Sequence, residues 1–407
     1  MMENIFFYYI LCIPILILLL FFAYIRIRFP FWARQPVFHV YDLWYLFFPP
    51  GIIQHELPSK NRYTNFEEIE TYSYEEFTDY KRKKFAHFIC LYYLNKGDNL
   101  FSPQLEKHIT PYFTGHGQKS FVSVYHQPVL LTDTKDGTIQ KDDKWIGVMT
   151  SRPVYISIWR SEEKHCMEAY YVDYLCVHPN HRKQNVAPQI IQTHEYRQRR
   201  LNPRIVVSIF KREGELTGII PLCVYKTYGF SLKKWCRPPV LPAYYTLLEI
   251  GPQNFSYVFD FLRKHTRTFT VMIYSEMTNL MELVRSQNIF ITVLMQEHEI
   301  QGAYFFRKTR VFVEKDLEVL TCIGSVCMND TDKNNKEIFI RGFKVSFWKI
   351  AEKHNFGFAA IENISHNDIL IENIMKKTRP TVVSPTAYFF YNFAYPTIPS
   401  KQTFILF

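Results

Sequence analysis

Between residues 145 and 210 the sequence sets out strand, strand, strand, basic loop, helix and strand in succession, and no other stretch restricts the fold as much. WIGVMTS (145–151) and VYISIW (154–159) are rich in the β-branched and aromatic residues that suit a pleated surface, with a turn expected at Arg152-Pro153. AYYVDYLCV (169–177) reads as a third strand, residues 178–185 as a loop, 186–200 as a helix and 204–210 as a further strand. Strands and helices interleave, so the class expected is α/β (α+β).

The loop itself points to chemistry. A strand that enters a short polar loop and then a helix offers free backbone N–H groups at the positive end of the helix dipole, a seat for a pyrophosphate. Here the loop runs Arg182-Lys183-Gln184-Asn185-Val186-Ala187 and is followed by Pro188. Arg182 and Lys183 add charge, and Asn185 tolerates the left-handed conformation that a tight phosphate-wrapping turn needs. Many basic loops precede helices without binding anything, so physics alone leaves this reading open.

The chain has 407 residues, enough for roughly two domains of ordinary size. It is 47% apolar and 17% aromatic, a composition that calls for a large packed interior and excludes a disordered chain. The net charge of +10 suits an anionic partner, whether nucleic acid, acidic membrane or nucleotide phosphates. Basic residues are dispersed and no reader motif occurs, so no nucleic-acid partner is expected. The eight cysteines form no CxxC pair and have no histidine at ligand spacing, which argues against a zinc site and against a disulfide framework.

Residues 5–25 (IFFYYILCIPILILLLFFAYI) are uncharged, apolar and about as long as a hydrocarbon core is thick. A cleaved signal peptide is disfavoured, because a basic start and a small-residue cleavage site are lacking. A transmembrane anchor over 1–28 is therefore expected. Arg26, Arg28 and Arg34 follow the run, which places the remainder in the cytosol as the globular part of a single-pass membrane protein.

An irregular, proline-bearing arm is expected over 29–50, and a helix over 74–95 with Phe77, Tyr80, Phe88 and Leu91 on one face. The run Lys81-Arg82-Lys83-Lys84 reads as a solvated face. Later in the chain an amphipathic helix is expected at 343–353 and an aromatic strand at 387–393.

The motif Arg182-x-x-Asn185-x-Ala187 resembles the acyl-CoA loop of the GNAT superfamily. The longer string from Tyr174-Leu175-Cys176-Val177-His178 through Arg182 to Val186-Ala187-Pro188 resembles the signature of the N-myristoyltransferase family. Other stretches agree in order: Phe31-Trp32-Ala33-Arg34-Gln35-Pro36-Val37 is similar to that family's coenzyme-A-binding arm, and Asn99-Leu100-Phe101-Ser102-Pro103 to the segment after its lid loop. Trp145-Ile146-Gly147 to Pro153, Tyr228 to Leu232 and Tyr391-Asn392-Phe393 to Pro396 correspond as well.

The resemblance implies two tandem GNAT-like lobes that form one saddle-shaped sheet with flanking helices. The boundaries are then an anchor (1–28), a cofactor arm (29–64), an acyl-CoA-binding lobe (65–240) and a peptide-binding lobe (241–407). It also implies transfer of a fatty acyl group, myristoyl in the first instance, from acyl-CoA to the N-terminal glycine of a protein, by a monomer that needs no metal or second cofactor. Such a transfer needs a neutral amine, donors for the developing oxyanion and a thioester held beside the nucleophile. Backbone N–H groups of Tyr174 and Leu175 would form the oxyanion hole. The base would be the terminal carboxylate of Phe407, and the apolar ending Thr403-Phe404-Ile405-Leu406-Phe407 is independently better buried than exposed. Cys176, Val177, Arg182, Lys183, Gln184, Asn185, Val186 and Ala187 would hold the cofactor, with Phe31 and Trp32 covering its other side. Tyr225, Tyr228 and Tyr391 would wall the peptide cleft.

Three departures from the family pattern bear on the acceptor. The lid loop, acidic in the family, is Asn95-Lys96-Gly97-Asp98, which weakens any attraction for a basic residue downstream of the glycine. A glycine-rich turn is replaced by Arg379-Pro380-Thr381-Val382-Val383-Ser384-Pro385. Ala359 stands where an asparagine is expected, while Glu362 keeps a nearby acidic position. The alternatives are a GNAT-type transferase with another acyl chain or a lysine acceptor, and a membrane-anchored binding protein without turnover.

Overall fold

The computed structural model describes residues 2–94, 99–132, 139–160, 162–214, 218–314 and 316–407, with side chains described in these except at 2–12, 130–132, 139–142 and 234. The lid loop read at 95–98 lies outside the described residues.

In the first half, strands β1 (Ile69–Ser73), β2 (Phe121–Thr132), β3 (Ile139–Arg160) and β4 (Glu163–Val177) pair antiparallel in succession. Helix α3 (Val186–Leu201) then returns the chain to β5 (Val207–Glu213), which lies parallel to β4. The longer helices ahead of α3 are α1 (Met2–Arg28) and α2 (Asp79–Tyr92). The second half begins with β6 (Cys223–Ser231), β7 (Tyr245–Ile250) and β8 (Val271–Tyr274) and continues with β9 (Ile289–Gln296), β10 (Glu299–Val313) and β11 (Leu317–Cys327). Helix α4 (Lys333–His354) leads from β11 to its parallel neighbour β12 (Phe358–Glu362). Antiparallel strands, a crossover helix and a parallel strand thus occur twice.

With β13 (Val382–Tyr391) and β14 (Thr403–Leu406) the halves share one sheet, of fifteen strands among the described residues, whose main path reads β14-β8-β3-β4-β5-β13-β6-β12-β11-β10-β9-β7. Strand β13 joins the halves by pairing antiparallel with both β5 and β6. Strand β14 crosses back to pair parallel with β8, and β8 pairs antiparallel with β3. The apolar ending expected to be buried is buried, with Phe404 to Phe407 each at most 5% exposed.

Several sequence expectations need correction. No turn separates 145–151 from 154–159, because β3 runs through Arg152-Pro153 without a break. Proline is tolerated there for a topological reason: β2 leaves β3 at Ser151 and β8 joins it only at Tyr155, so residues 152–154 pair with β4 alone. The helix expected over 74–95 starts later, at Asp79, where the Thr78 hydroxyl accepts the Lys81 N–H at 3.4 Å. That expected at 343–353 starts earlier, because Asp332 caps it by accepting the Asn334 N–H at 2.9 Å. The arm over 29–50 is not wholly irregular, and contains a 3-10 turn (Trp32–Arg34) and a short helix (Leu43–Phe47).

Among the described residues no helix is long and apolar enough to cross a membrane, so the fold by itself gives the expected anchor no support. Where its side chains are described, α1 exposes Leu16 to Phe22, and Leu43, Trp44, Phe47 and Phe48 beyond it are exposed too.

Candidate functional site

The end of β4 is bulged. Val148 pairs with Cys176 and Thr150 with Asp173, so Tyr174 and Leu175 together oppose the single residue Met149. Tyr174 takes up the extra length with a left-handed backbone (φ 48°), and its N–H donates to Asp173 Oδ1 at 2.8 Å. A bulge turns backbone N–H groups out of the ladder and into the space beside the sheet. Aromatic rings hold it in place: Tyr174 packs on Phe85 (5.8 Å between centroids) and Tyr93 (5.3 Å).

Beyond β4, Lys183 (φ 63°) and Asn185 (φ 60°) are both left-handed, which winds the loop tightly into α3. Asn185 is the N-cap, and Gln189 is the first residue to bond back to it, at 3.1 Å. Val186 and Ala187 therefore point N–H groups out of the first turn with no acceptor inside the helix, while Pro188 has none to satisfy. The Arg182 guanidinium is partly engaged: Nε donates to Val177 O at 3.1 Å and Nη2 to Tyr92 O at 3.3 Å. Gly147 lies beneath α3, where an added Cβ would come within 2.4 Å of Ile190 Cδ1 and 3.3 Å of Val186 Cγ1.

A cavity of about 590 Å³ opens between β4, β5, α3 and the arm. Phe31, Trp32, Leu175, Ala187, Ile191 and Tyr391 are among its walls. Trp32 stacks on Phe210 (5.8 Å, 19°), and the Tyr391 hydroxyl donates to Gln35 Oε1 at 2.7 Å, so the arm is tied to β5 and β13. Its buried polar floor is His194 and Glu195. His194 sits between the hydroxyls of Ser123 and Ser151, 2.8 Å from each, and burial lowers its pKa to about 4, so it is neutral. Burial pushes the Glu195 carboxyl up to about 7 against the pull of Arg199, 3.8 Å away.

A second cavity, of about 410 Å³, lies between the halves. Tyr171, Asp173, Tyr174 and Lys211 line both, so the two meet at the bulge. Asp173 accepts there from the Tyr93 hydroxyl at 3.2 Å as well as from the Tyr174 N–H. Glu362 forms a hub in the second wall, 2.9 Å from Lys211, 3.6 Å from Arg307 and 2.7 Å from the Tyr225 hydroxyl. Burial alone would raise its pKa, but Lys211 and Arg307 outweigh that and hold it below the usual carboxylate value. Phe407 lies one layer behind, its ring 4.1 Å from that of Tyr171 and 5.5 Å from the Arg152 guanidinium.

Structures of Saccharomyces cerevisiae N-myristoyltransferase with bound myristoyl-CoA match 91% of this chain, with TM-scores of 0.67 and 0.68, and the match covers 94% and 89% of the yeast chains. Sequence identity is only 13% and 14%. A third, with bound myristoyl-CoA and inhibitors, has a TM-score of 0.67 at 13% identity over 91% of each chain. The fold is that of N-myristoyltransferase. No protein-family model and no curated protein matches the sequence.

On this N-myristoyltransferase fold, the residues singled out from the sequence fall into three groups. Phe31, Trp32, Tyr174, Leu175, Ala187 and Tyr391 converge on the first cavity. Tyr391 lies there because β13 runs beside β5. Arg182, Lys183, Gln184, Asn185 and Val186 form the loop that leads to that cavity without lining it. Cys176 is buried, its thiol pushed up to about 12 by burial, and neither it nor Val177 lines either cavity. Tyr225 and Tyr228 also stand back from both: Tyr225 supports Glu362, and Tyr228 packs against the second half's core. Phe407 reaches the junction only through Tyr171 and Arg152.

Arg152, Asp173, His194, Glu195 and Lys211 line the cavities but were not legible from sequence. Arg152-Pro153 carries a turn signal locally, and nothing in a single chain marks a partly buried acid inside a strand. Among the described residues, no group of three or more His, Cys, Asp or Glu is placed to hold a metal ion.

Proposed function

We propose that this protein transfers a fatty acyl group, in the first instance myristoyl, from acyl-CoA to the N-terminal glycine amine of a peptide or protein. The observation that carries the reading is the meeting of two cavities at a bulged strand, with the first turn of α3 following after an eight-residue loop (178–185). In this reading the first cavity holds the acyl-CoA. Its phosphates lie on the loop from Arg182 to Ala187, and Phe31 and Trp32 close the other side. The acceptor amine enters from the second cavity.

The amine nitrogen attacks the thioester carbonyl carbon; a C–N bond forms, the C–S bond breaks, and coenzyme A leaves as the thiol. The negative charge that builds on the carbonyl oxygen is stabilised by main-chain N–H groups at Tyr174 and Leu175. The Tyr174 donor must first exchange its Asp173 partner. The incoming ammonium, with a pKa near ~8, loses a proton to the carboxylate of Phe407, whose burial beside Tyr171 favours this role.

The Asp173–Tyr174 contact also favours a second reading, in which a resident carboxylate occupies the oxyanion donor and the protein binds acyl-CoA without turnover. An acyltransferase with another acyl chain or a lysine acceptor remains the third. Incubating the protein with myristoyl-CoA and glycine-starting peptides, while following thiol release and peptide mass, separates them. Release that requires an N-terminal glycine supports the main reading. Release with other amines or acyl chains supports the third, and tight acyl-CoA binding without release supports the second. Polar residues added after Phe407 abolish release if its carboxylate is the base; full activity in that variant removes it from the mechanism.

We also propose that α1 anchors the protein in a membrane with the remainder cytosolic, supported by the uncharged run over 5–25, the three arginines after it and the exposed apolar residues of 43–48. One myristoyl chain gives only marginal membrane affinity, so tethering would keep enzyme and product on one surface. If removal of residues 1–28 leaves flotation with lipid vesicles unchanged, the anchor is not α1.

A further inference from the structure

Arg152 is the largest fully buried side chain whose charge the fold leaves unanswered. It is 2% exposed, and among the described residues no carboxylate side chain lies within 4 Å of it and its Nη1 has no hydrogen-bond partner. The other cations on the walls of the second cavity are spoken for: Lys211 and Arg307 share Glu362, while Lys308 and Arg310 share Glu318 at 4.0 and 3.2 Å. Arg152 has instead the faces of three rings, Tyr112 at 4.6 Å, Tyr171 at 5.2 Å and Phe407 at 5.5 Å. Cation–π contact offsets part of the desolvation of a guanidinium, and an unpaired buried charge remains costly.

A second unanswered donor lines the same cavity. His108 is 5% exposed, and its Nδ1 accepts the Gln104 N–H at 3.0 Å, which puts the proton of the neutral ring on Nε2. That Nε2 has no partner among the described residues. Burial, together with Arg310, Lys308 and Lys107 nearby, lowers the ring's pKa to about 3, so it stays a neutral donor in a positive surrounding. Two buried donors without acceptors, on the walls of a cavity whose remaining cations are already paired, describe a seat for a negative group.

We infer that the second cavity selects an acceptor peptide bearing an acidic side chain, whose carboxylate is received by Arg152, with the His108 Nε2–H a further free donor on the same cavity's wall. The inference rests on the proposed acyl transfer only in taking that cavity as the acceptor's. A lysine or arginine at the same place would meet like charge without solvent to screen it. Recognition of this kind sets the acceptor class by charge downstream of the reacting amine.

The test is direct binding, kept separate from turnover. Fluorescently labelled glycine-starting peptides, each with one Glu, Gln or Lys scanned through positions 3 to 7, are titrated against the full chain with a non-transferable thioether analogue of myristoyl-CoA present. At one position the Glu peptide is expected to bind at least tenfold tighter than its Gln counterpart, about 1.4 kcal/mol, and the Lys peptide more weakly than either. Arg152→Met should reduce that preference below threefold, and Arg152→Gln serves as the second variant should Arg152→Met not fold. The inference is overturned if no position favours Glu, if Lys is preferred, if no peptide binds, or if the preference survives in a folded variant. Thiol release with plain myristoyl-CoA is scored apart. Its absence alongside a retained acidic preference removes the transfer reaction and leaves the acidic seat; release with no charge preference does the reverse.

Discussion

Replacing Glu362 with glutamine removes the one negative charge that Lys211 and Arg307 share across the second cavity. The side chain of Glu362 is 4% exposed, and those of Lys211 and Arg307 are 15% and 22% exposed. Removing one member of a buried ion pair costs about 3–5 kcal/mol, because the partner is left charged and undercompensated. Here both cations retain a little solvent, and glutamine can still accept from the Tyr225 hydroxyl, which lies 2.7 Å from Glu362 Oε2. The lower end of the range is therefore expected, about 3 kcal/mol. Urea unfolding followed by tryptophan fluorescence and circular dichroism reads this as a shift in midpoint at constant slope. The pH dependence has a fixed sign. Since the carboxyl of Glu362 is held below its unfolded value, its stabilisation is complete above pH about 4.5 and is lost as pH falls through the folded pKa. Glu362→Gln should lack that acid-side loss, and Lys211→Met should restore part of the deficit in the double variant. A loss under about 1 kcal/mol at pH 7, or an unchanged acid limb, would refute the account of Glu362 as a charge hub.

Glu195 works in the opposite direction: with its carboxyl raised from 4.5 to about 7, the folded state binds the extra proton, so stability falls as pH rises through that window, and Glu195→Gln should flatten the profile there. Gly147→Ala should destabilise by about 1 kcal/mol, since the added methyl displaces the Ile190 side-chain tip 2.4 Å away and crowds Val186 and the Cys176 carbonyl at 3.3 Å; urea unfolding of both proteins checks this. Asn185→Val forces a β-branched residue into φ 60° and should weaken acyl-CoA binding about tenfold or more while the thermal midpoint moves little, whereas Asn185→Gly should retain binding.

The parts of the site that sequence revealed are those whose physics is local. The strand ending at Val177, the left-handed Asn185 and the helix opening at Val186 are each encoded within a few residues, and all stand where they were expected. The parts that stayed hidden depend on distant pairing. Pro153 looks like a turn residue until β2 and β8 are seen to leave 152–154 with a single neighbour, and only then does Arg152 become a buried wall residue. Tyr391 reaches the first cavity for a similar reason, since β13 inserts between β5 and β6 and so brings the late chain against the first half. The apolar ending was legible as buried, but not its partner β8, which lies about 130 residues earlier in the sequence. His108 and His194 gave no sequence signal, because a lone histidine is as often core as ligand.

The placement of β8 and β14 also governs the order of assembly. From Tyr155 to Ile158, β3 has no neighbour on one side until Val271–Tyr274 is available, and β8 in turn stays uncovered until Thr403–Leu406 has been made. During synthesis the amino-terminal half therefore waits with an apolar strand edge open for more than a hundred residues, a delay that favours helpers able to shield it. Interruptions late in the chain should consequently damage the early half as well as the late one.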